Sequence, residues 1–205
     1  MLICPFESIA HISHSPFCDL FSVDEFASFE YVLDLDKYYG TGYGQRLGRV
    51  QGVGYVNELL ARLTRRPVED RTQTNGTLDG SGETFPLDRG IYADFSHDDE
   101  MVAIYAALGL FRQGRDLDVD RVDEGRTWVV SKMVPFGARM VVERLQCGGG
   151  GGEGKEYVRV LVNDKVQPLE FCGGEEGICE LAAFVESQRY ARHNGEGDWE
   201  ACFEK

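Results

Sequence analysis

The chain has 205 residues, of which 42% are hydrophobic and 27% are charged, and its formal net charge at pH 7 is −14. This length is enough for one hydrophobic core or for part of a larger one. The acidic charge argues against a nucleic-acid-binding protein, which needs a basic face, and no apolar stretch approaches the roughly 18 residues of a membrane-spanning helix.

The first half of the chain alternates between apolar patterns of helical spacing and loops. Residues 4–18 are bounded by cysteines and contain two prolines, so we expect a loop there. Apolar residues at roughly helical spacing predict helices over residues 24–34 and 50–64. Four glycines within residues 40–48 indicate a loop between these helices. The polar residues 65–88, punctuated by Gly, Asn and Pro, are typical of a long surface loop.

A strand followed directly by a helix is predicted near the middle of the chain. Apolar side chains at alternate positions predict a short strand over residues 91–95. Four apolar residues at helical spacing, ended by a glycine, predict a helix over about residues 98–108. Further along, residues 128–134 and 138–145 fit a strand or a helix, and the pattern does not choose between them.

The last quarter of the chain begins with a stretch of five consecutive glycines, followed by Glu and Gly. No packed core can form from such a segment, so a flexible loop is predicted over residues 148–154. A strand is predicted over residues 157–162, and Asn163 and Asp164 form the turn that ends it. Residues 181–190 have the apolar pattern of a helix.

The chain contains six cysteines: Cys4, Cys18, Cys147, Cys172, Cys179 and Cys202. None of them forms a Cys-x-x-Cys pair and no histidine pair has zinc-binding spacing, so we expect no metal site. Disulfide bonds in a secreted protein fit this composition better, although the spacing alone does not choose among the possible pairings. The glycosylation sequon that begins at Asn75 lies in the polar loop and agrees with secretion.

The junction between the strand at 91–95 and the helix after it carries a histidine and three acidic residues. In a structural interpretation, Ser96 and Asp99 form a pattern related to a capping box, and the acidic residues match the helix dipole. In a functional interpretation, the turn directs His97 and Asp98 into the crevice beyond the strand end. A protonated His97 could then donate to a phosphate oxygen, and Asp98 could protonate a leaving alkoxide.

Several longer segments match the sequence of one protein family, and they occur in the same order along the chain. They are Ser15-Pro16-Phe17-Cys18-Asp19-Leu20-Phe21, Lys37-Tyr38-Tyr39-Gly40, Gln51-Gly52-Val53-Gly54-Tyr55-Val56-Asn57-Glu58-Leu59, Tyr92-Ala93-Asp94-Phe95-Ser96-His97-Asp98, Val134-Pro135-Phe136 with Ala138-Arg139, and Arg159-Val160-Leu161-Val162-Asn163-Asp164. With these segments the chain resembles the C-terminal half of the histidine acid phosphatases, specifically the fungal phytases, from about Cys4 to Phe203. The resemblance implies an α/β fold in which residues 1–205 form part of a mixed sheet flanked by helices, incomplete without an N-terminal half.

The resemblance also implies a reaction and its residues. Members of this family are secreted, extracellular phosphoric monoester hydrolases. They act on inositol hexakisphosphate (phytate) through a phosphohistidine intermediate and need no cofactor. His97 would bind phosphate and Asp98 would be the general acid. The Arg-His-Gly-x-Arg-x-Pro motif that carries the nucleophilic histidine is absent, so we expect it in an N-terminal half that is this chain's partner. Lys37 would contact a peripheral phosphate, but Asp36 stands where some relatives have a second lysine.

The same resemblance assigns the cysteines. It implies disulfide bonds Cys4–Cys18 and Cys172–Cys179 within the chain, whereas Cys147 and Cys202 would pair with the N-terminal half. Two alternative functions remain. One is a broad-specificity acid phosphatase with the same site and a less basic pocket, and the other is a secreted binding module that keeps the fold without the nucleophile.

Overall fold

The computed structural model describes residues 1–148 and 154–204. Apart from its end residues Gly148 and Gly154, the flexible loop predicted over 148–154 lies outside the described residues. The α-helices are α1 (Ile3–His11), α2 (Val23–Gly40), α3 (Val53–Thr64), α4 (Gly76–Asp79), α5 (Asp98–Leu108), α6 (Val130–Met133), α7 (Leu181–Ser187), α8 (Arg189–Arg192) and α9 (Asp198–Ala201), and the strands are β1 (Met140–Cys147), β2 (Lys155–Val162), β3 (Lys165–Val166) and β4 (Ile178–Glu180).

The two N-terminal helices differ from what the sequence predicts. The loop expected over residues 4–18 is wrong for its first part, which forms α1. Its only proline inside that helix, Pro5, lies in the first turn, where a missing N–H is tolerated. Helix α2 is longer than the predicted 24–34. It begins with a capping box, in which the Glu25 N–H donates to Ser22 Oγ at 3.3 Å and the Ser22 N–H donates to the Glu25 carboxylate at 2.7 Å.

The centre of the hydrophobic core lies between α3 and α5. Val53 and Val56 of α3 are fully buried, and so are Val102 and Tyr105 of α5. A short 3-10 turn, Arg49–Gly52, precedes α3 and packs directly on α5. The predicted helices over 50–64 and 98–108 are therefore confirmed, with the first turn of the former wound as a 3-10 helix.

The sheet is built around β2. Strand β1 pairs with it antiparallel from Met140 opposite Val162 to Cys147 opposite Lys155, and β3 and β4 pair along its other edge. Asn163 and Asp164, which join β2 to β3, both have left-handed backbone angles (φ 49° and 65°), as a tight hairpin turn requires. The α/β class with a sheet flanked by helices is confirmed. The pairs within the described residues are all antiparallel, and of the two ambiguous segments the first contains α6 and the second becomes β1.

The strand predicted over residues 91–95 is wrong: this segment has no regular secondary structure and pairs with no other described strand. Its alternation is nevertheless present. Tyr92 and Asp94 face Arg62 of α3, whereas Ile91 and Phe95 are 87% and 98% exposed. A strand needs a neighbouring edge for its backbone hydrogen bonds, and no described segment supplies one here.

Candidate active site

The junction ahead of α5 has the backbone geometry of a helix start. His97 is the N-cap residue, with extended angles (φ −118°, ψ 171°), and its carbonyl accepts the first helical hydrogen bond from the Met101 N–H at 3.0 Å. Its side chain makes no capping hydrogen bond. The predicted capping pattern of Ser96 and Asp99 is therefore wrong, because the helix begins one residue later than that pattern requires. Asp98, Asp99 and Glu100 occupy the first turn, as expected.

Lys37 reaches this junction from the last turn of α2. Its Nζ lies 2.8 Å from Asp98 Oδ2 and also contacts Asp99 Oδ1. The lysine side chain is only 17% exposed, whereas the Asp98 carboxylate is 55% exposed. The structure thus brings together Lys37 and Asp98, two of the three residues that the sequence singled out. The part played by Asp99 was missed, because a first-turn acid is ordinary and the sequence does not show that α2 ends beside it.

The charges of this cluster set its protonation. The hydrogen bond from Lys37 is the main reason that the pKa of Asp98 is lowered from its usual value. Burial of the Lys37 ammonium acts to lower its own pKa, but the hydrogen bonds to Asp98 and Asp99 outweigh that burial and the pKa is raised. The two groups therefore form a charged pair over a wide pH range.

His97 is open to solvent. Its side chain is 87% exposed, and its nearest charged neighbour is Glu100, whose Oε2 lies 4.0 Å from His97 Nδ1. The crevice expected around His97 is not formed by residues 1–148 and 154–204, because the segment before it has no paired strand beside it. The described site offers a histidine, a helix N-terminus and a lysine, next to a carboxyl group.

A groove of about 930 Å³ lies beside the segment that precedes α5. Residues 89–94 form one wall, β1 from Met140 to Gln146 forms the other, and α3 forms the floor. On the floor, Arg62 pairs with Asp94 at 3.2 Å between Nη2 and Oδ1 and stacks on the Tyr92 ring. Within the part of the chain that is described, β1 pairs with β2 alone, so its edge along the groove has no strand partner.

Four of the six cysteines form disulfide bonds, and the sequon lies on the surface. The structure contains the Cys4–Cys18 and Cys172–Cys179 disulfide bonds. Cys147 and Cys202 are exposed free thiols. Asn75 is exposed, and its side-chain oxygen caps α4 by accepting from Thr77 N–H at 3.1 Å, which leaves its side-chain nitrogen toward solvent.

The described residues contain neither a metal-binding cluster nor a helix that could span a membrane. Among residues 1–148 and 154–204, no group of three His, Cys, Asp or Glu side chains is arranged to hold a metal ion. No helix within the same ranges combines the length and apolar character needed to cross a bilayer.

The chain is similar to known proteins of one family. Residues 1–163 match the model of the histidine phosphatase superfamily, branch 2. Phytase A of Emericella nidulans is 46% identical over 212 residues, which cover 99% of this chain and 44% of that protein. Phytase A of Neurospora crassa is 39% identical over 251 residues, covering 99% of this chain and 48% of that protein.

A solved structure supports the same relationship. The crystal structure of the phytase from D. castellii superposes with a TM-score of 0.68 at 28% identity, covering 89% of this chain and 34% of that one. The chain thus spans less than half the length of the relatives that it matches.

Proposed function

Because the chain belongs to branch 2 of the histidine phosphatase superfamily, we propose that it is the C-terminal part of a phytase, a phosphoric monoester hydrolase that acts on inositol hexakisphosphate. Residues 1–205 would form one portion of its α/β domain. The observation that carries the proposal is the ion pair of Lys37 with Asp98, which forms beside His97 at the start of α5. It joins a cation for phosphate to a carboxyl group that can move a proton.

In the proposed mechanism, a histidine from the N-terminal half attacks the phosphorus atom, and the bond between phosphorus and the ester oxygen breaks. His97 and the N-terminus of α5 hold the phosphate oxygens. Asp98 gives its proton to the leaving alkoxide. A water molecule then attacks the phosphohistidine, the bond between phosphorus and nitrogen breaks, and Asp98 takes the proton of that water as inorganic phosphate is released.

We propose further that the N-terminal half completes the sheet along the groove. The unpaired edge of β1 faces residues 89–94 across about 930 Å³, and an extended segment between two such edges satisfies both sets of backbone groups. The exposed apolar side chains of Ile91 and Phe95 would then be covered. Burial of this segment would also enclose His97. The exposed thiols of Cys147 and Cys202 would link the two halves by disulfide bonds.

The proposed location is extracellular. Two disulfide bonds within the chain support it, since such bonds persist in oxidising compartments. The exposed sequon at Asn75 supports it as well, because N-glycans are added in the secretory pathway to accessible asparagines.

A second candidate is a broad-specificity acid phosphatase with the same machinery. It is favoured by one observation, which is that the Lys37 ammonium is already bound by Asp98 and Asp99. A lysine engaged in this way offers less positive charge to the peripheral phosphates of phytate.

The experiment is a phosphate-release assay on the full-length protein that contains this chain, with phytate and an alkyl monophosphate as substrates. We expect release from both, and a phosphohistidine that survives alkaline denaturation during turnover. Similar kcat/KM values for the two substrates would favour the broad phosphatase over the phytase. Absence of phosphate release from either substrate would leave only a binding module and would overturn the proposed activity.

A further inference from the structure

Lys37 lies between two carboxylates, and the mechanism uses only one of them. Its Nζ is 2.8 Å from Asp98 Oδ2 and also contacts Asp99 Oδ1, and both acids belong to the first turn of α5. Two carboxylates around one ammonium leave the cluster with a net negative charge. Such a charge opposes the approach of a substrate that carries several phosphates.

We propose that Asp99 is a specificity-determining residue that holds Lys37 in the ion pair and thereby lowers the preference of the enzyme for multiply phosphorylated substrates. This inference rests on the proposed phosphatase function. The two carboxylates occupy two of the three N–H donors of the Lys37 ammonium and offset its charge, so a peripheral phosphate competes with them for Lys37. Asp98 is needed for proton transfer, so Asp99 is the acid whose charge acts on binding alone.

The position of Lys37 favours this competition. Its side chain is 17% exposed, because it emerges from α2 against α5, and its ammonium is directed to the two carboxylates. Asp99 itself is 56% exposed and can rotate into water when a phosphate takes its place. The exchange therefore costs one partly exposed ion pair and needs no movement of either helix.

The test compares Asp99→Asn with a matched control in the full-length protein. Asp36→Asn removes the same charge from the residue next to Lys37, but Asp36 is not one of the two acids on its ammonium. The measurements are kcat and KM for phytate and for glycerol phosphate, which carries a single phosphate. We expect Asp99→Asn to lower KM for phytate roughly two- to fivefold, the effect of partly exposed ion pairs, with kcat and the glycerol phosphate KM unchanged.

A double-mutant cycle assigns the effect to Lys37. In a Lys37→Met background, Asp99→Asn should no longer change the ratio of kcat/KM between phytate and glycerol phosphate. Equal changes from Asp99→Asn and Asp36→Asn would overturn the inference in favour of a general charge effect. A loss of activity on both substrates with a lower Tm would overturn it in favour of a structural role. If the wild-type protein hydrolyses neither substrate, the proposed function fails first and the inference falls with it.

Discussion

At the scale of single residues, the behaviour of Asp98 is set by a side chain from another helix. The carboxylate starts α5, where the helix dipole favours a negative charge, and Lys37 of α2 donates to it at 2.8 Å. This hydrogen bond is the main cause of its lowered pKa. A general acid whose pKa is lowered carries its proton only in acidic solution, so we expect the proposed activity at acidic pH.

The first prediction concerns Asp98→Asn in the full-length protein. Turnover of phytate should fall roughly 10²–10⁴-fold, the usual contribution of a positioned general acid. The loss should depend on the leaving group, since an inositol alkoxide needs a proton in the transition state and a nitrophenolate leaves without one. Nitrophenyl phosphate should therefore be affected much less when both are measured as kcat.

His97→Ala is the matched variant for this prediction. It removes the proposed phosphate contact and no acid, so it should slow phytate and nitrophenyl phosphate to a similar degree. If Asp98→Asn also slowed the two substrates equally, with phosphoryl transfer rate-limiting, Asp98 would not be the general acid. A first-turn acid that only stabilises the helix would cost about 1 kcal/mol of stability and show no leaving-group dependence.

The second prediction concerns the pH profile of Lys37→Met. Lys37 lowers the pKa of Asp98, so its removal should raise that pKa. Asp98 then keeps its proton to higher pH, and the descending limb of kcat/KM against pH should move to higher pH. Glycerol phosphate is the substrate for this measurement. It has no peripheral phosphate, so the removal of Lys37 does not also remove a substrate contact.

Lys132→Met provides the control for the pH profile, since Lys132 lies on α6 and is not among the groups that lower the pKa of Asp98. Its profile should match that of the wild type. A descending limb that stays in place in Lys37→Met, or moves to lower pH, would show that the ion pair does not set the protonation of the acid.

At the scale of secondary-structure elements, the position of α5 depends on its close contact with the turn before α3. At Gly52 the two backbones approach so closely that an added Cβ would lie 2.5 Å from the Ala103 carbonyl oxygen. Only a residue without a side chain fits there. The proposed catalytic pair at the start of α5 is thus held by the packing of the middle of the same helix.

The third prediction follows from this contact. Gly52→Ala should destabilise the protein by roughly 1–3 kcal/mol, because the buried backbone of α5 must shift to accept the methyl group. Chemical denaturation of the full-length protein measures the change. Gly82→Ala is the control, since an added Cβ there meets nothing within 4 Å. Equal stabilities of the two variants would mean that α5 adjusts without strain.

At the scale of the whole molecule, the chain leaves much apolar surface uncovered. Ile12, Val23, Ile91, Phe95 and Phe136 are each more than three-quarters exposed. Single exposed apolar residues are normal, but Ile91 and Phe95 share one segment that pairs with no described strand, as expected of a surface that another part of the protein covers. This agrees with a chain that spans less than half the length of its relatives.

The fourth prediction is that the isolated chain folds poorly. Within residues 1–148 and 154–204, no strand pairs with the free edge of β1 or with residues 89–95, and without the proposed partner Cys147 and Cys202 would lack the proposed disulfides. Each bond of this kind contributes roughly 2–5 kcal/mol, which is comparable to the net stability of a domain. We expect a broad, non-cooperative unfolding transition, whereas the full-length protein should unfold cooperatively. A cooperative transition of the isolated chain with all six cysteines paired internally would contradict this.

The features that the sequence determined by itself are local ones. The helices at 98–108 and 50–64, the turn at Asn163 and Asp164, and the segments shared with the phosphatase family could all be read in advance. Each depends on residues within a few positions of one another, such as an apolar face of helical spacing or the tolerance of asparagine and aspartate for left-handed angles. His97 and Asp98 were candidates from the junction itself, but an acidic helix start is ordinary, so the family resemblance assigned their roles and added Lys37.

Only the tertiary structure decided what depends on residues far apart in the chain. Lys37 and Asp99 are separated by 62 positions, and their contact arises because α2 ends where α5 begins. The alternation over 91–95 correctly predicts which side chains share a face. The predicted strand is nevertheless absent among the described residues, because a strand exists only when another edge receives its hydrogen bonds. Periodicity specifies which face of a segment is apolar, whereas pairing and ion pairs depend on which segments the whole fold places side by side.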